Sequence, residues 1–532
     1  MTKVLDQHGK PMRPRAQYMR PDRSGILSMR RAITRDVKTD VHQGAARAFA
    51  LAFDFMHNSG WLAGAADQIV TDMIGTELVL NARPDPSVFG GDMAARREWC
   101  RAVETAWWRW AQDPRECDLE GKATIAETLD GAVRYYLASG EAIGIISYLR
   151  ASDQRRYGIE TGTKVRLVSP HRLSRHTSLF EGWDQGINHD PNGRAVAYRF
   201  CQTDGGMDRD VDIMAISGTL RQVVHVMDRG VTPNSPRGIS PMTPCFKTVA
   251  QSDQLADATL TTALLQTAFA ATIHSPEASV DAFAAIETIQ ELTEYEGAAD
   301  LAEDLFEVWH QRIEALKSRP LSIGGDATQV NHLGPGEKLE LHGSQTPGPQ
   351  YLPFQQNLMR EVARCLGVTF ENLTMDHSAA SYSSTRMAVS SVWPTIERRR
   401  ARIAAPFAQG IYDAWLDEQV GTDALPFPGG VTAFRAQRRA ACAAEWRGPS
   451  KPTADPWKDA AAAKVRLEMG MTTLQEVYAE RGLDWEEQTE QIAVEKGYLT
   501  GLDLPIPFGR TQGGAGGPQG GALDPVQENA RA

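Results

Sequence analysis

The sequence predicts an α+β protein, mainly helical, with more than one packed region. Apolar residues recur every three or four positions along most of the chain, the mark of helices with one buried face. A stretch of about ninety residues in the first half changes to short β-branched and aromatic runs between turn signals. At 532 residues the chain also exceeds what a single core covers. Its 42% hydrophobic and 23% charged residues are ordinary for a globular protein, so most of it is expected to fold.

Residues 1–35 carry nine Lys or Arg against Asp6 and Asp22, with Pro11, Pro14 and Pro21 and no apolar rhythm. They read as a basic flexible arm, either a solvated tail or a binding arm. The arm lacks the apolar centre of a secretory signal, so export is not expected. The whole chain still carries −11, which makes the body acidic and argues against a tight grip on phosphates.

Residues 36–239 form the first region. Trp61, Ala65, Ile69 and Met73 run beside Leu62, Ala66, Val70 and Ile74, so two helices are expected between Asp36 and Ile74, with Gly75 closing the second. Trp99, Val103, Trp107 and Trp110 mark another buried stripe, read as core. The Asp113-Pro114 break precedes a helix over Ile125–Ser139. Strands are expected at Ile143–Leu149, Lys164–Val168, Ala195–Phe200 and Gln222–Val226, with Asn192-Gly193 as a turn. Together they read as a small, mostly antiparallel β region.

Ser240 as a cap and Pro241 in the first turn predict a long helix over residues 240–273, with Phe246, Val249, Leu260 and Ala271 on its apolar face. It would be about 45–50 Å long. In residues 274–349, the segment Glu277–His310 holds ten Asp or Glu and no Lys or Arg. Strand candidates follow at Pro320–Ile323 and Lys338–Leu341, then a loop over Gly343–Pro349.

Residues 350–445 predict a helix over Phe354–Leu366 and a longer one from Thr385, carrying Val392, Ile396, Ile403, Phe407, Ile411 and Trp415. Pro394 and Pro406 should bend or break it. Residues 446–500 read as three short helices, started by Asp455-Pro456, the Thr473/Glu476 capping box and Asp484/Glu487, and ended by Gly470, Gly482 and Gly497. Residues 501–532, rich in Gly, Pro, Gln and Asn, are expected to be disordered.

Enzymatic signatures are missing: no GxxxxGK[ST] loop, HExxH, GxSxG elbow or GxGxxG. Without a phosphate loop a DNA-pumping motor subunit is not expected. The six cysteines are far apart in sequence and read as reduced thiols, and His171 and His176, beside Arg172 and Arg175, as a polar loop. No catalytic, cofactor-binding or metal-binding residue is therefore expected. Apolar runs such as Phe49–Phe53 fall far short of the ~20 residues that cross a bilayer, so no membrane partner is expected.

Several segments, taken in order, resemble the lambda-type family of tailed-bacteriophage portal proteins. They are Asn58–Gly75 (NSGWLAGAADQIVTDMIG), Ala138–Ile143 (ASGEAI), Gly186–Phe200 (GINHDPNGRAVAYRF) and Val224–Pro241 (VHVMDRGVTPNSPRGISP). Then come Arg360–Leu373 (REVARCLGVTFENL), Tyr382–Arg386 (YSSTR) and Trp446–Glu495. Their colinearity over roughly residues 36–500 carries the resemblance. Pro233–Arg237 (PNSPR) departs from it, since family members often carry a Gln near the Arg.

The resemblance implies a portal-like fold with wing, stem, clip and crown regions, in a ring of about twelve subunits at one capsid vertex. Residues 36–239 would be wing, 240–273 stem, 274–349 an acidic clip, 350–445 stem with tunnel loop and bent channel helix, and 446–500 crown. Asp376, His377, Tyr382, Ser383 and Ser384 would belong to the tunnel loop. Arg386, Arg398, Arg399, Arg400 and Arg402 would lie on the channel helix, in intersubunit or surface pairs or against DNA. Glu291, Glu294, Asp300, Glu303 and Asp304 would form an acidic docking collar, or merely a solvated face. Implied partners are further copies of the chain, double-stranded DNA passing without sequence specificity, the terminase large subunit, a head-completion or adaptor protein, and the major capsid or scaffolding protein. The site would be the virion's capsid vertex, after assembly in the host cytoplasm. Two other readings stay open: another ring-forming phage or injection-system baseplate component, and a hydrolase using Asp376/His377 with Ser383/Ser384.

Overall fold

The computed structural model describes residues 36–268 (except 179, 205, 206 and 219), 271–274, 338–341 and 348–507 (except 379 and 454). The basic arm, the acidic segment Glu277–His310 and the end of the tail lie outside the described residues. The chain divides into two compact units, residues 1–240 with 379–532, and residues 241–378.

The first unit opens with helices Val37–Asn58 and Gly60–Ile74. Asp36 caps the first, and Gly75, at φ +71°, ends the second. The tryptophan stripe forms helix Met93–Gln112, capped by Asp92, and Thr124 with Glu127 makes the capping box of helix Ile125–Ser139.

Strand Glu141–Tyr148 is the centre of a three-stranded antiparallel sheet, with Val223–Met227 on one side and Thr163–Val168 on the other. Helix Ala405–Gly421 packs on this sheet through small residues. A Cβ on Gly144 would lie 2.8 Å from the Phe407 ring, and one on Gly410 2.7 Å from Val224. Beside it, Trp183–Asp184, Ile187–His189, Ala195–Asp204 and Met207–Met214 make a four-stranded antiparallel sheet. Leu173, Ile187, Tyr198 and Phe200 join Ile143 and Val223 in one apolar cluster.

Two aromatic groups anchor the rest. Trp107, Trp110, Tyr412, Trp415 and Trp446 meet at ring distances of 5.1–6.1 Å. Phe89, Trp99, Phe427 and Phe434 form the second. Strand Val79–Ala82 pairs with Ala444–Arg447 in register Leu80↔Trp446, which carries Trp446 into the first group. Pro456–Glu468, Leu474–Ala479 and Trp485–Gly501 are the three C-terminal helices, started by the caps that the sequence marks. Gly497 lies inside the last helix rather than ending it.

The second unit contains helix Phe246–Ala268, the antiparallel pair Ala271–His274 with Lys338–Leu341, and helices Tyr351–Leu366 and Phe370–Thr374. The expected continuous helix over 240–273 is shorter at both ends. Pro244 sits in a 3-10 turn, Thr243–Cys245, and the chain is already extended at Ala271. The Ser240 hydroxyl donates to the Leu137 carbonyl at 2.7 Å. All six cysteines are free, and Cys245 and Cys365, distant in sequence, interact here.

The helix expected from Thr385 begins at Tyr382, because Ser381 caps it. Pro394 lies inside helix Tyr382–Arg399, whereas the stretch before Pro406, Arg400–Ala404, is a π-turn. Pro406 has no N–H for the Arg402 carbonyl and its ring crowds that carbonyl, so the ladder widens: Ala405 N–H bonds back to Arg400.

Candidate functional site

Two of the motifs, Ala138–Ile143 and Val224–Pro241, meet in a buried joint. Gly140 ends its helix at φ +82°, and a Cβ there would lie 2.1 Å from the Ile239 carbonyl oxygen. Gly238 is equally tight, its notional Cβ 2.5 Å from Gly140 backbone. The two backbones touch because neither residue has a side chain.

Glu141 heads the central strand and is 1% exposed. Its carboxylate accepts from Arg237 Nε at 2.8 Å and from the Gly238 N–H at 2.9 Å, and His225 Nε2 lies at 3.1 Å. Arg237 also donates to the Pro170 carbonyl at 2.8 Å. Burial alone would push the Glu141 carboxyl up; Arg237 and His225 outweigh it and hold it at about 2. At neutral pH the group is a fixed anion. It holds segments together and has no proton to give or take.

The arginines from Arg386 to Arg402 have separate fates. Arg386 pairs with Asp459 at 2.9 Å, and Arg402 with Asp228 at 3.0 Å. Arg399 is buried beside the Tyr136 hydroxyl, whose pKa burial raises and Arg399 partly lowers. Arg400 donates to the carbonyls of Met73 at 2.8 Å and of Asp72 and Pro449 at 2.9 Å, so it closes the C-terminal end of helix Gly60–Ile74. Arg398 is exposed and has no ion pair among the described residues.

The hydroxyls of the tunnel-loop segment have local work. Ser381 Oγ accepts from the Ser384 N–H at 3.2 Å and Ser384 Oγ from the Ser381 N–H at 2.9 Å, a serine capping box. Ser383 is exposed, and Tyr382 is the first residue of that helix. Asp376 accepts from the Ser378 N–H at 3.0 Å and its hydroxyl at 2.6 Å, which lowers the Asp376 pKa. His377 is exposed and, with Asp376, falls in the second unit, while Tyr382, Ser383 and Ser384 fall in the first. The collar residues Glu291, Glu294, Asp300, Glu303 and Asp304 lie outside the described residues. Among the described residues no group of three His, Cys, Asp or Glu could hold a metal, and no helix is long and apolar enough to cross a membrane.

Glu141 and Arg237 lie inside two of the motifs, where the sequence alone assigns them no role. The available signal was a carboxylate between Gly140 and the apolar run Ala142–Ile146, a place where a charge needs a partner.

Charge used to fasten backbone segments together describes a scaffold, and the comparisons with known proteins agree in kind. The profile described as phage portal protein, lambda family, matches residues 23–400. Portal protein B of Escherichia phage lambda is 26% identical over 450 residues, covering 83% of this chain and 81% of that protein. The portal protein of Escherichia phage N15 is 27% identical over 454 residues, covering 83% and 82%. Among solved structures, the neck of an empty GTA particle aligns with TM-score 0.43 and 16% identity, over 83% of this chain and 94% of that one. The neck of a native GTA particle aligns with TM-score 0.42 and 14% identity over the same shares. The chain belongs to the lambda family of phage portal proteins.

Proposed function

We propose that the chain forms a closed ring of about twelve copies at one capsid vertex, through which double-stranded DNA enters and leaves without sequence specificity. The family membership carries this reading. Two features support it. Apolar side chains stand exposed on the C-terminal helices, among them Trp457, Val465 and Tyr498, as an unmade interface requires. The acidic chain avoids a strong phosphate grip, which suits a conduit along which DNA slides.

In this reading the protein works as a structural part and catalyses nothing. Asp376 and His377 belong to the tunnel loop and Tyr382–Ser384 to the first turn of the helix that follows it, and Arg398, exposed and without an ion pair among the described residues, is open to DNA or a neighbouring subunit. The terminase large subunit and a head-completion protein dock at the clip end, where Glu291, Glu294, Asp300, Glu303 and Asp304 form a collar that steers basic partners. The major capsid or scaffolding protein holds the rim.

Electron microscopy of the purified full chain tests the central claim. Closed rings with a hole wide enough for duplex DNA are expected; monomers at every concentration and salt would overturn it. Changing the five collar carboxylates to Gln or Asn should leave the rings intact and weaken terminase binding, most clearly at low ionic strength.

A further inference from the structure

The three C-terminal helices, Pro456–Glu468, Leu474–Ala479 and Trp485–Gly501, bury one residue between them, Ala463. Their attachment to the rest of the unit is made by charge. Asp484 Oδ1 caps its own helix, accepting from the Glu486 N–H at 2.8 Å and the Glu487 N–H at 3.3 Å. Its Oδ2 faces the other way, toward Asn81 Nδ2 at 3.3 Å and toward Arg83 and Arg447, each at 3.4 Å. Arg101–Glu490 and Arg386–Asp459 are exposed pairs on either side. Gly482, at φ +73°, sets the loop directly on backbone, with a notional Cβ 2.9 Å from the Gly448 carbonyl oxygen.

Under this loop lies a cavity of about 220 Å³, lined among others by Glu104, Trp107, Arg447, Leu483, Asp484 and Glu487. We propose that Pro456–Gly501 is a detachable module docked by charge, and that the proton on Glu104 sets how tightly its Asp484 loop closes over this cavity.

Glu104 accepts from the Ala82 N–H at 2.7 Å. Burial pushes its pKa up to about 7; the Ala82 bond lowers it, Glu487 and Asp484 raise it by repulsion, and Arg447 offsets part of that. The module contributes Asp484, Glu486 and Glu487 to this surrounding. Strand Val79–Ala82 and its flanks contribute Glu77, Asn81 and Arg83, and strand Ala444–Arg447 contributes Glu445 and Arg447. Arg96 and Cys100 lie on Glu104's own helix, and Tyr412 on helix Ala405–Gly421. Cys100 and Tyr412 stay neutral, since burial raises the first to about 11 and the second well above its ordinary value. Helix Ile125–Ser139 adds only apolar Ile125, Ala126 and Leu129.

The sign follows from linkage. The docked form binds the Glu104 proton more tightly than an open form with an ordinary carboxyl near 4.5, so protonation favours docking. Docking therefore weakens as pH rises from that ordinary value through about 7, and changes no further above it.

Hydrogen–deuterium exchange on the full chain, corrected for intrinsic pH effects, tests this, with peptides from 456–501 read against those of helix Met93–Gln112. Asp484→Asn keeps the cap acceptor and removes the charge; Glu104→Gln keeps an acceptor for Ala82 and mimics the protonated acid. Raised salt and Asp484→Asn should each speed exchange in 456–501 on the order of ten-fold, with Met93–Gln112 unchanged. Protection of 456–501 should fall between about pH 5 and about pH 7 in the unsubstituted chain, and stay level in Glu104→Gln. Exchange indifferent to salt and to Asp484→Asn would overturn the proposal, as would a pH response in Glu104→Gln equal to that of the unsubstituted chain. Equal acceleration in both segments would also overturn it, by making the loop part of the global fold.

Discussion

Trp415, at the centre of the first unit, is 1% exposed, and Trp457, at the start of the C-terminal helices, is 77% exposed. The first meets Trp107 and Trp110 on a second helix and Tyr412 on its own; the second stands on a short helix whose one buried side chain is an alanine. The body is thus held by apolar burial and a desolvated ion pair, and the C-terminal helices by polar contacts that run from the part-buried Asp484 to the open Arg101–Glu490 pair. Residues of the same type are core in one place and contact surface in the other. Burial tells them apart, and composition does not.

The sharpest way to break the comparison is Trp415→Ala. Emptying that space should cost about 3–5 kcal/mol, read as a lower midpoint in urea unfolding of the whole chain. Glu141→Ala comes next, because it leaves Arg237 buried without its anion; about 3–5 kcal/mol is expected, less where water can enter. The pH profile separates the two. Glu141 has a depressed pKa, so its contribution is full above the ordinary carboxyl value and is lost as pH falls toward about 2, a slope that Glu141→Ala should flatten and Trp415→Ala should leave alone.

Arg400→Ala should cost about 1–3 kcal/mol, since three backbone carbonyls lose a donor in a half-buried site. The smallest effect belongs to the C-terminal helices. Arg101 and Glu490 are both about half exposed, and Arg101→Ala should change stability by about 1 kcal/mol or less, vanishing at high salt. A loss from Arg101→Ala as large as that from Glu141→Ala would end the contrast between the two regions.

Local signals in the sequence translated well. The stripe Trp99, Val103, Trp107 and Trp110 is buried on one helix, Thr473 with Glu476 forms the capping box, and Asp484 caps the last helix. Contacts distant in sequence left no local trace. Val79–Ala82 finds its partner at Ala444–Arg447, and Glu141 finds Arg237 across a sheet and two loops. The arginines show the same limit. Spacing shows that Arg398, Arg399, Arg400 and Arg402 crowd one stretch, but only the fold sends Arg400 to the end of helix Gly60–Ile74 and Arg402 to Asp228. The hydroxyl-rich run around Ser381 offers several candidate caps, of which the reciprocal bond with Ser384 selects one.

The π-turn at Arg400–Ala404 acts as a phase shifter. An α-helix advances about 100° per residue, so one extra residue in a turn rotates everything before it by about that angle relative to everything after it. Tyr382–Arg399 and Ala405–Gly421 can therefore each keep an apolar seam on its own neighbours, although a single uninterrupted spiral would bring only one seam into line. A one-residue deletion here would turn one half's seam outward. The length of this stretch, more than the identity of any residue in it, is what the chain cannot change.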